Sequence, residues 1–266
     1  MTLPQIIGFG AQKAGTTWLF DNLATNPGIW RPPLKEMHFF NHQNDGGRWM
    51  LKDHRQRLRE KRDTALQRGK PGVARNFNRL LQMPMLTEEW YRTAYAPCPE
   101  GLQSIDITPA YAMLDEGCHD YMAKLLGTAF KGIYLIRDPA ARAISSVTQE
   151  MVGETGLDGW MERIRSQTVM TRSDYRSAIQ MLDDRLGDRV LYLPFKMVKA
   201  DPINLLRAVE LHCGLPEGEY KAAEKASHMS PKTHSPAGLH DAVRELLSDQ
   251  YDWLTSRFGP SYARLI

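Results

Sequence analysis

Residues 10–19 read Gly-Ala-Gln-Lys-Ala-Gly-Thr-Thr-Trp-Leu. Two glycines, a lysine and paired threonines are the materials of an anion cradle: glycines let the backbone turn tightly, and lysine and hydroxyls supply donors. The glycine spacing is that of the phosphate loop G-x-x-x-x-G-K-[ST]. The lysine is displaced, however. Thr16 follows Gly15, and the cation is Lys13, two positions before that glycine. A second group is Arg137-Asp138-Pro139, followed by Arg142 and Ser145. A guanidinium can bind two phosphate oxygens at once through its planar fork. A third is Lys35-Glu36-Met37-His38-Phe39-Phe40, where Glu36 or His38 has the chemistry of a proton acceptor.

Each group needs an element to hold it. Ile6 to Phe9 are apolar and partly β-branched and predict a strand, with Thr16 or Thr17 capping the helix that follows and Asn26-Pro27 ending it. The first-turn amides of that helix then point at the loop mouth and favour an anion there. Ile133 to Ile136 predict a buried parallel strand, and Pro139 suits the first turn of a helix running through Val147. Arg137 therefore falls at the carboxyl end of a strand, where open α/β sheets bind ligands, with Ser145 about two helical turns beyond. A further strand is expected over 189–193 after a helix over 174–186, and a last helix over 237–258 with Leu239, Val243, Leu246, Leu247, Tyr251 and Leu254 on its core face. The expected fold is a single α/β domain over residues 1–266, with a central parallel sheet flanked by helices and the phosphate loop after the first strand.

The string K-A-G-T-T-W-L resembles the 5′-phosphosulfate loop of sulfotransferases that use 3′-phosphoadenosine 5′-phosphosulfate (PAPS), in which the lysine precedes the glycine. The pattern R-D-P-x-x-R-x-x-S resembles the 3′-phosphate site of the same family. The resemblance implies that Lys13, Ala14, Gly15, Thr16, Thr17, Trp18, Arg137 and Ser145 bind the donor, with Arg142 also matching. It further implies that Lys232 and Thr233, in a late basic loop, close over the nucleotide. K-E-x-H-F-F is similar to a string of the glycosaminoglycan sulfotransferases and bacterial relatives, in which the glutamate takes the acceptor proton; this assigns Glu36, with His38 as the alternative. Ile105 to Tyr111 resembles the family's E-K-T-P-A-Y, which would place Asp106, Thr108 and Tyr111, together with Glu36, His38 and Phe40, around the acceptor. Ile107 departs from that pattern, because the polysaccharide enzymes carry a substrate-binding lysine there. The products implied are adenosine 3′,5′-bisphosphate (PAP) and a sulfated small molecule, glycan or lipid, with Lys13 supplying the positive charge and no metal required.

Other readings of the same residues stay open. Glu36 could be a structural ion pair with Lys35, His38 a packed histidine, and residues 227–234 an ordinary polar loop. A P-loop kinase would need a lysine after Gly15 and an acidic magnesium ligand ending a strand. A non-catalytic nucleotide-binding protein could share the fold.

The 266 residues carry a net charge of +3, which implies no broad nucleic-acid surface. Three widely spaced cysteines fit a reducing compartment and show no metal-ligand spacing. With no leader-like segment and no apolar run of about eighteen residues, the reading is a cytoplasmic enzyme. Arg48 to Arg79 is the anomaly, with eleven Arg or Lys against three acidic residues. It reads as a helical insertion over 48–95, either a solvated face, a lid that attracts anions, or a peripheral membrane contact.

Overall fold

The computed structural model describes residues 3–45, 48–224 and 235–266. Its centre is β1 (Ile6–Gly10), all five residues of which are buried. With β2 (Ile29–Trp30), β3 (Gln103–Ile107), β4 (Lys131–Ile136) and β5 (Val190–Pro194) it forms one sheet in the order β2-β3-β1-β4-β5, and every pairing is parallel. A sheet covered on both faces needs near-continuous apolar strands, which explains why β1 and β4 do not alternate.

Helices fill the connections. α1 (Thr16–Leu23) follows β1. Between β2 and β3 lie α2 (Phe39–Asp45), α3 (Arg48–Gln67), α4 (Pro71–Gln82) and α5 (Glu88–Tyr95). A short 3₁₀ turn (Pro109–Met113) and α6 (Glu116–Leu126) join β3 to β4. After β4 come α7 (Pro139–Val147), α8 (Leu157–Ile164), α9 (Gln167–Ser173) and α10 (Tyr175–Leu186). Beyond β5 the chain forms α11 (Met197–Ala200), α12 (Pro202–Cys213), α13 (Leu239–Leu246), α14 (Ser248–Phe258) and α15 (Pro260–Ala263). None of the described helices is long and apolar enough to cross a membrane.

The connection from β1 runs toward β2 on one side of the sheet, and that from β4 runs toward β5 on the other. Adjacent strands whose loops diverge leave a crevice at their carboxyl ends. The loop 10–15 and Arg137 lie at that switch point.

Two expectations are corrected. α1 is not capped by a threonine: Gly15 is its N-cap, in left-handed backbone at φ 83°, with no side-chain cap bond. The expected helix over 237–258 is two helices, broken at Leu247. The reason is packing: Leu239, Val243 and Leu247 join a smaller core with Val147, Trp160 and Ile164, whereas Leu254 joins the main core under the sheet.

The basic segment is a helical hairpin. α3 is seated through Met50, His54, Leu58 and Ala65, all under 7 % exposed and on one face, while Lys52, Arg55, Arg59, Arg68, Arg75 and Arg79 are exposed.

Candidate active site

The loop after β1 is fixed from several directions. Ala11 N donates to Leu135 O of β4 at 2.8 Å, and Ala14 N to Ala11 O at 3.1 Å. Arg137 reaches back from the end of β4, and its Nη1 donates to Lys13 O at 2.6 Å. Arg137 is itself clamped: Tyr175 Oη accepts from its backbone N at 3.2 Å and donates to its O at 2.9 Å. The guanidinium carbon stands 5.0 Å from the Phe195 ring centroid. The same ring lies under Gly15, where an added Cβ would sit 3.0 Å from it. Glycine at 15 is thus required twice, by φ and by space.

Lys13 and Arg137 are partly desolvated cations side by side. Burial lowers the pKa of Lys13, and the neighbouring Arg137 lowers it further. Burial also lowers that of Arg137. Arg172, likewise lowered by burial, donates to Gln12 Oε1 at 2.7 Å. Adjacent, partly buried cations beside a helix start with no side-chain cap form a place where an anion restores lost stability.

The remaining predicted donor residues divide. Thr17 is half-exposed, whereas Ala14, Thr16 and Ser145 are buried. Trp18 is buried, and its indole Nε1 donates to Ala223 O at 2.8 Å, which makes it a strut between α1 and the chain after Tyr220. Arg142, on α7, is fully enclosed and donates to Ser173 Oγ at 2.6 Å; burial lowers its pKa, and nearby Arg172 and Arg137 add to the lowering. Lys232 and Thr233 lie outside the described residues.

The second half of the site is the segment 35–39. Glu36 pairs with Lys35 through one carboxylate oxygen, and His38 Nε2 lies 3.6 Å from the other. Burial pushes the Glu36 carboxyl up, but His38 and Lys35 together outweigh it and hold the pKa at about 2. His38 Nδ1 faces Asn41 Oδ1 at 3.1 Å. Glu36 and His38 both have positive φ, 60° and 54°. Lys13 does too, at 68°, and the fourth such residue among those described is Leu86. Left-handed backbone costs a residue with a Cβ roughly 1–2 kcal/mol, and such strain persists where the surroundings over-determine it. Three of four instances fall on the three residues to which the sequence assigns the chemistry.

The predicted acceptor residues Asp106, Thr108, Tyr111 and Phe40 are buried beneath this segment and form its support. Asp106 accepts from Tyr91 and Tyr111 at 2.9 Å each and from Thr108 at 2.6 Å. Burial raises its pKa, and those bonds oppose the rise. Tyr111 Oη also accepts from Phe39 N at 3.1 Å. Phe40 packs in a cage of Tyr91, Tyr111 and Tyr121. Ile107 is fully buried and covers Gly8, where an added Cβ would lie 2.7 Å from Ile107 Cδ1. The 3₁₀ turn joins the two halves: Pro109 and Ala112 flank Gly10, and Tyr111 holds Phe39. Sequence reading missed Tyr175, Phe195, Arg172 and His54, which carry no motif and come from distant parts of the chain. Among the described residues no cluster of three His, Cys, Asp or Glu could hold a metal ion.

A family model described as the sulfotransferase family matches residues 4–219. No curated protein matches the chain in sequence. Among solved structures, a sulfotransferase from Alicyclobacillus acidocaldarius matches with a TM-score of 0.66 at 16% identity, over 99% of this chain and 100% of its own. The sulfotransferase domain of the Synechococcus PCC 7002 olefin synthase gives 0.54 at 19% identity, over 86% and 80% of the two chains. The sulfotransferase domain of the curacin biosynthetic pathway gives 0.53 at 17% identity, over 95% and 92%. At these identities the likeness is one of fold.

Proposed function

Because the chain belongs to the sulfotransferase family, we propose that it moves a sulfuryl group from PAPS to a hydroxyl or amine of a small-molecule, glycan or lipid acceptor. PAPS supplies the activated sulfuryl group. Lys13, Thr17 and the first-turn amides of α1 bind the 5′-phosphosulfate, and Arg137 with Ser145 binds the 3′-phosphate. Glu36 takes the acceptor's proton as its oxygen or nitrogen bonds to sulfur. Lys13 neutralises the phosphate oxygen released as the old S–O bond breaks, so the protein's part is positioning and charge stabilisation. Glu36 is ionised throughout the neutral range, as a base must be.

The observation that carries this reading is the concentration of left-handed backbone on Lys13, Glu36 and His38, together with the partly buried pair Lys13 and Arg137 joined through Lys13 O. The test is calorimetric titration with PAP, with and without magnesium, followed by labelled PAPS against a panel of hydroxyl and amine acceptors. PAP binding independent of magnesium, and label transfer lost in Lys13→Ala, are expected. Magnesium-dependent ATP binding with no affinity for PAP would overturn the assignment.

A further inference from the structure

The backbone of 35–39 is held at alternate residues by side chains from elsewhere. Arg57 Nη2 donates to Lys35 O at 2.7 Å. His54 Nε2 lies 3.1 Å from Met37 O. Tyr111 Oη accepts from Phe39 N at 3.1 Å. The residues between the held ones are Glu36 and His38, both left-handed. Met37 and Phe39 are fully buried and His38 nearly so, whereas the Glu36 side chain keeps 33 % of its surface exposed, so the segment is pinned by its odd-numbered residues and presents Glu36.

Two of the three clamps come from α3. His54 is completely buried, and Met50 and Leu58, one turn either side, seat the helix around it. Its Nδ1 faces Met50 O of its own helix at 3.1 Å. A neutral imidazole has a single N–H, and Met50 O already accepts the intrahelical bond four residues on. The proton is therefore useful on Nε2, where Met37 O has need of it. Burial lowers the pKa of His54 by more than the bond to Met37 O raises it, and His38 and Arg57 add to the lowering, which favours that neutral form.

From this arrangement we infer that His54 and Arg57 are positioning residues for the catalytic segment, and that the basic hairpin is part of the active-site scaffold. They touch no reacting atom. They fix the strained backbone from which Glu36 and His38 reach the site, opposite the Tyr111 clamp. The inference rests on the assignment of Glu36 and His38 under the proposed function, but its geometry does not depend on PAPS.

The test uses the full chain with His54→Phe, His54→Gln, Arg57→Ala and Arg57→Lys. Amide hydrogen exchange and the ring titration of His38 are read by NMR, and PAP affinity by calorimetry on the same samples. In His54→Phe and Arg57→Ala, the amides of 36–39 should exchange at least about tenfold faster and the His38 titration should move. Exchange in β1 and β4 and affinity for PAP should stay as in the unaltered protein. Gln at 54 and Lys at 57, which keep an N–H donor, should restore both local readouts. Unchanged exchange and titration in both donor-deleting variants would overturn the inference. So would loosening spread over the whole sheet that the conservative variants fail to rescue, since that marks a purely structural role. Failure of the unaltered protein to bind PAP would sink the proposed function instead, and the exchange data would still decide the positioning.

Discussion

Arg137→Ala separates two jobs of one side chain, the clamp on Lys13 O that the structure shows and the 3′-phosphate contact we propose. One N–H of the guanidinium is committed to Lys13 O at 2.6 Å. Four of its five N–H donors remain for a ligand phosphate. A hydrogen bond involving a charged group contributes about 1.5–3 kcal/mol, and each 1.4 kcal/mol is about tenfold in affinity. Losing the Lys13 clamp should therefore weaken any nucleotide that uses the loop by roughly 10- to 150-fold. Losing one bond to the 3′-phosphate should weaken PAP by a further factor of about the same size, but leave adenosine 5′-monophosphate, which lacks that group, untouched. The ratio of the two affinities cancels the loop contribution, as a double-mutant cycle does. Calorimetric titration of both nucleotides at one fixed ionic strength measures it, because salt screens such contacts. Preference for PAP should fall roughly 10- to 150-fold in Arg137→Ala and less in Arg137→Lys. Equal loss for both nucleotides would show that Arg137 acts only by holding Lys13, and the 3′-phosphate assignment would be refuted.

Glu36 predicts two acid responses. Its pKa falls from an ordinary 4.5 to about 2 on folding, so its stabilising contribution is complete above about 4.5 and is lost as pH falls toward 2; Glu36→Gln should flatten that part of an acid unfolding curve. The same carboxylate, if it is the base, leaves turnover free of an acid limb in the ordinary histidine range near about 6.5. A limb there would transfer the role to an imidazole. Gly15→Ala should cost about 1–3 kcal/mol, from left-handed backbone and the Phe195 contact, lowering Tm by roughly 2–10 °C and weakening PAP. Gly69→Ala is the control, since Gly69 has φ 65° with nothing within 4 Å of an added Cβ; if the two variants lose the same stability, the contact with Phe195 plays no part.

The loop after β1 and the strand that delivers Arg137 were legible because the parts of each are contiguous. A strand, a glycine turn and a helix start fall within residues 6–19, and the second strand delivers Arg137 with no intervening fold decision. The sheet strands were readable for the same reason, since a parallel sheet writes them as apolar runs. The threonines do not cap α1 because the left-handed backbone of Gly15 starts the helix at Thr16 and leaves its first amides without a side-chain cap. The long last helix was misread because its apolar spacing is continuous, while its two halves face different cores. Least legible were the supports. Tyr175 clamps Arg137 across 38 residues, His54 meets Met37 across 17, and Phe195 lies beneath Gly15. None of these has a local pattern, because the fold alone brings them together.

Ile107 and Gly8 form a lock across two neighbouring strands. The isoleucine fills the hollow that the glycine leaves, so neither position can be changed alone without a void or a collision. Kinship judged from position 107 by itself would suggest that one exchange separates this chain from enzymes with a lysine there. The packing says otherwise: a lysine at 107 would have to find another exit from a sealed interior, and the vacated hollow over Gly8 would need a new occupant. Positions 8 and 107 are therefore coupled by packing, and a change at one calls for a compensating change at the other.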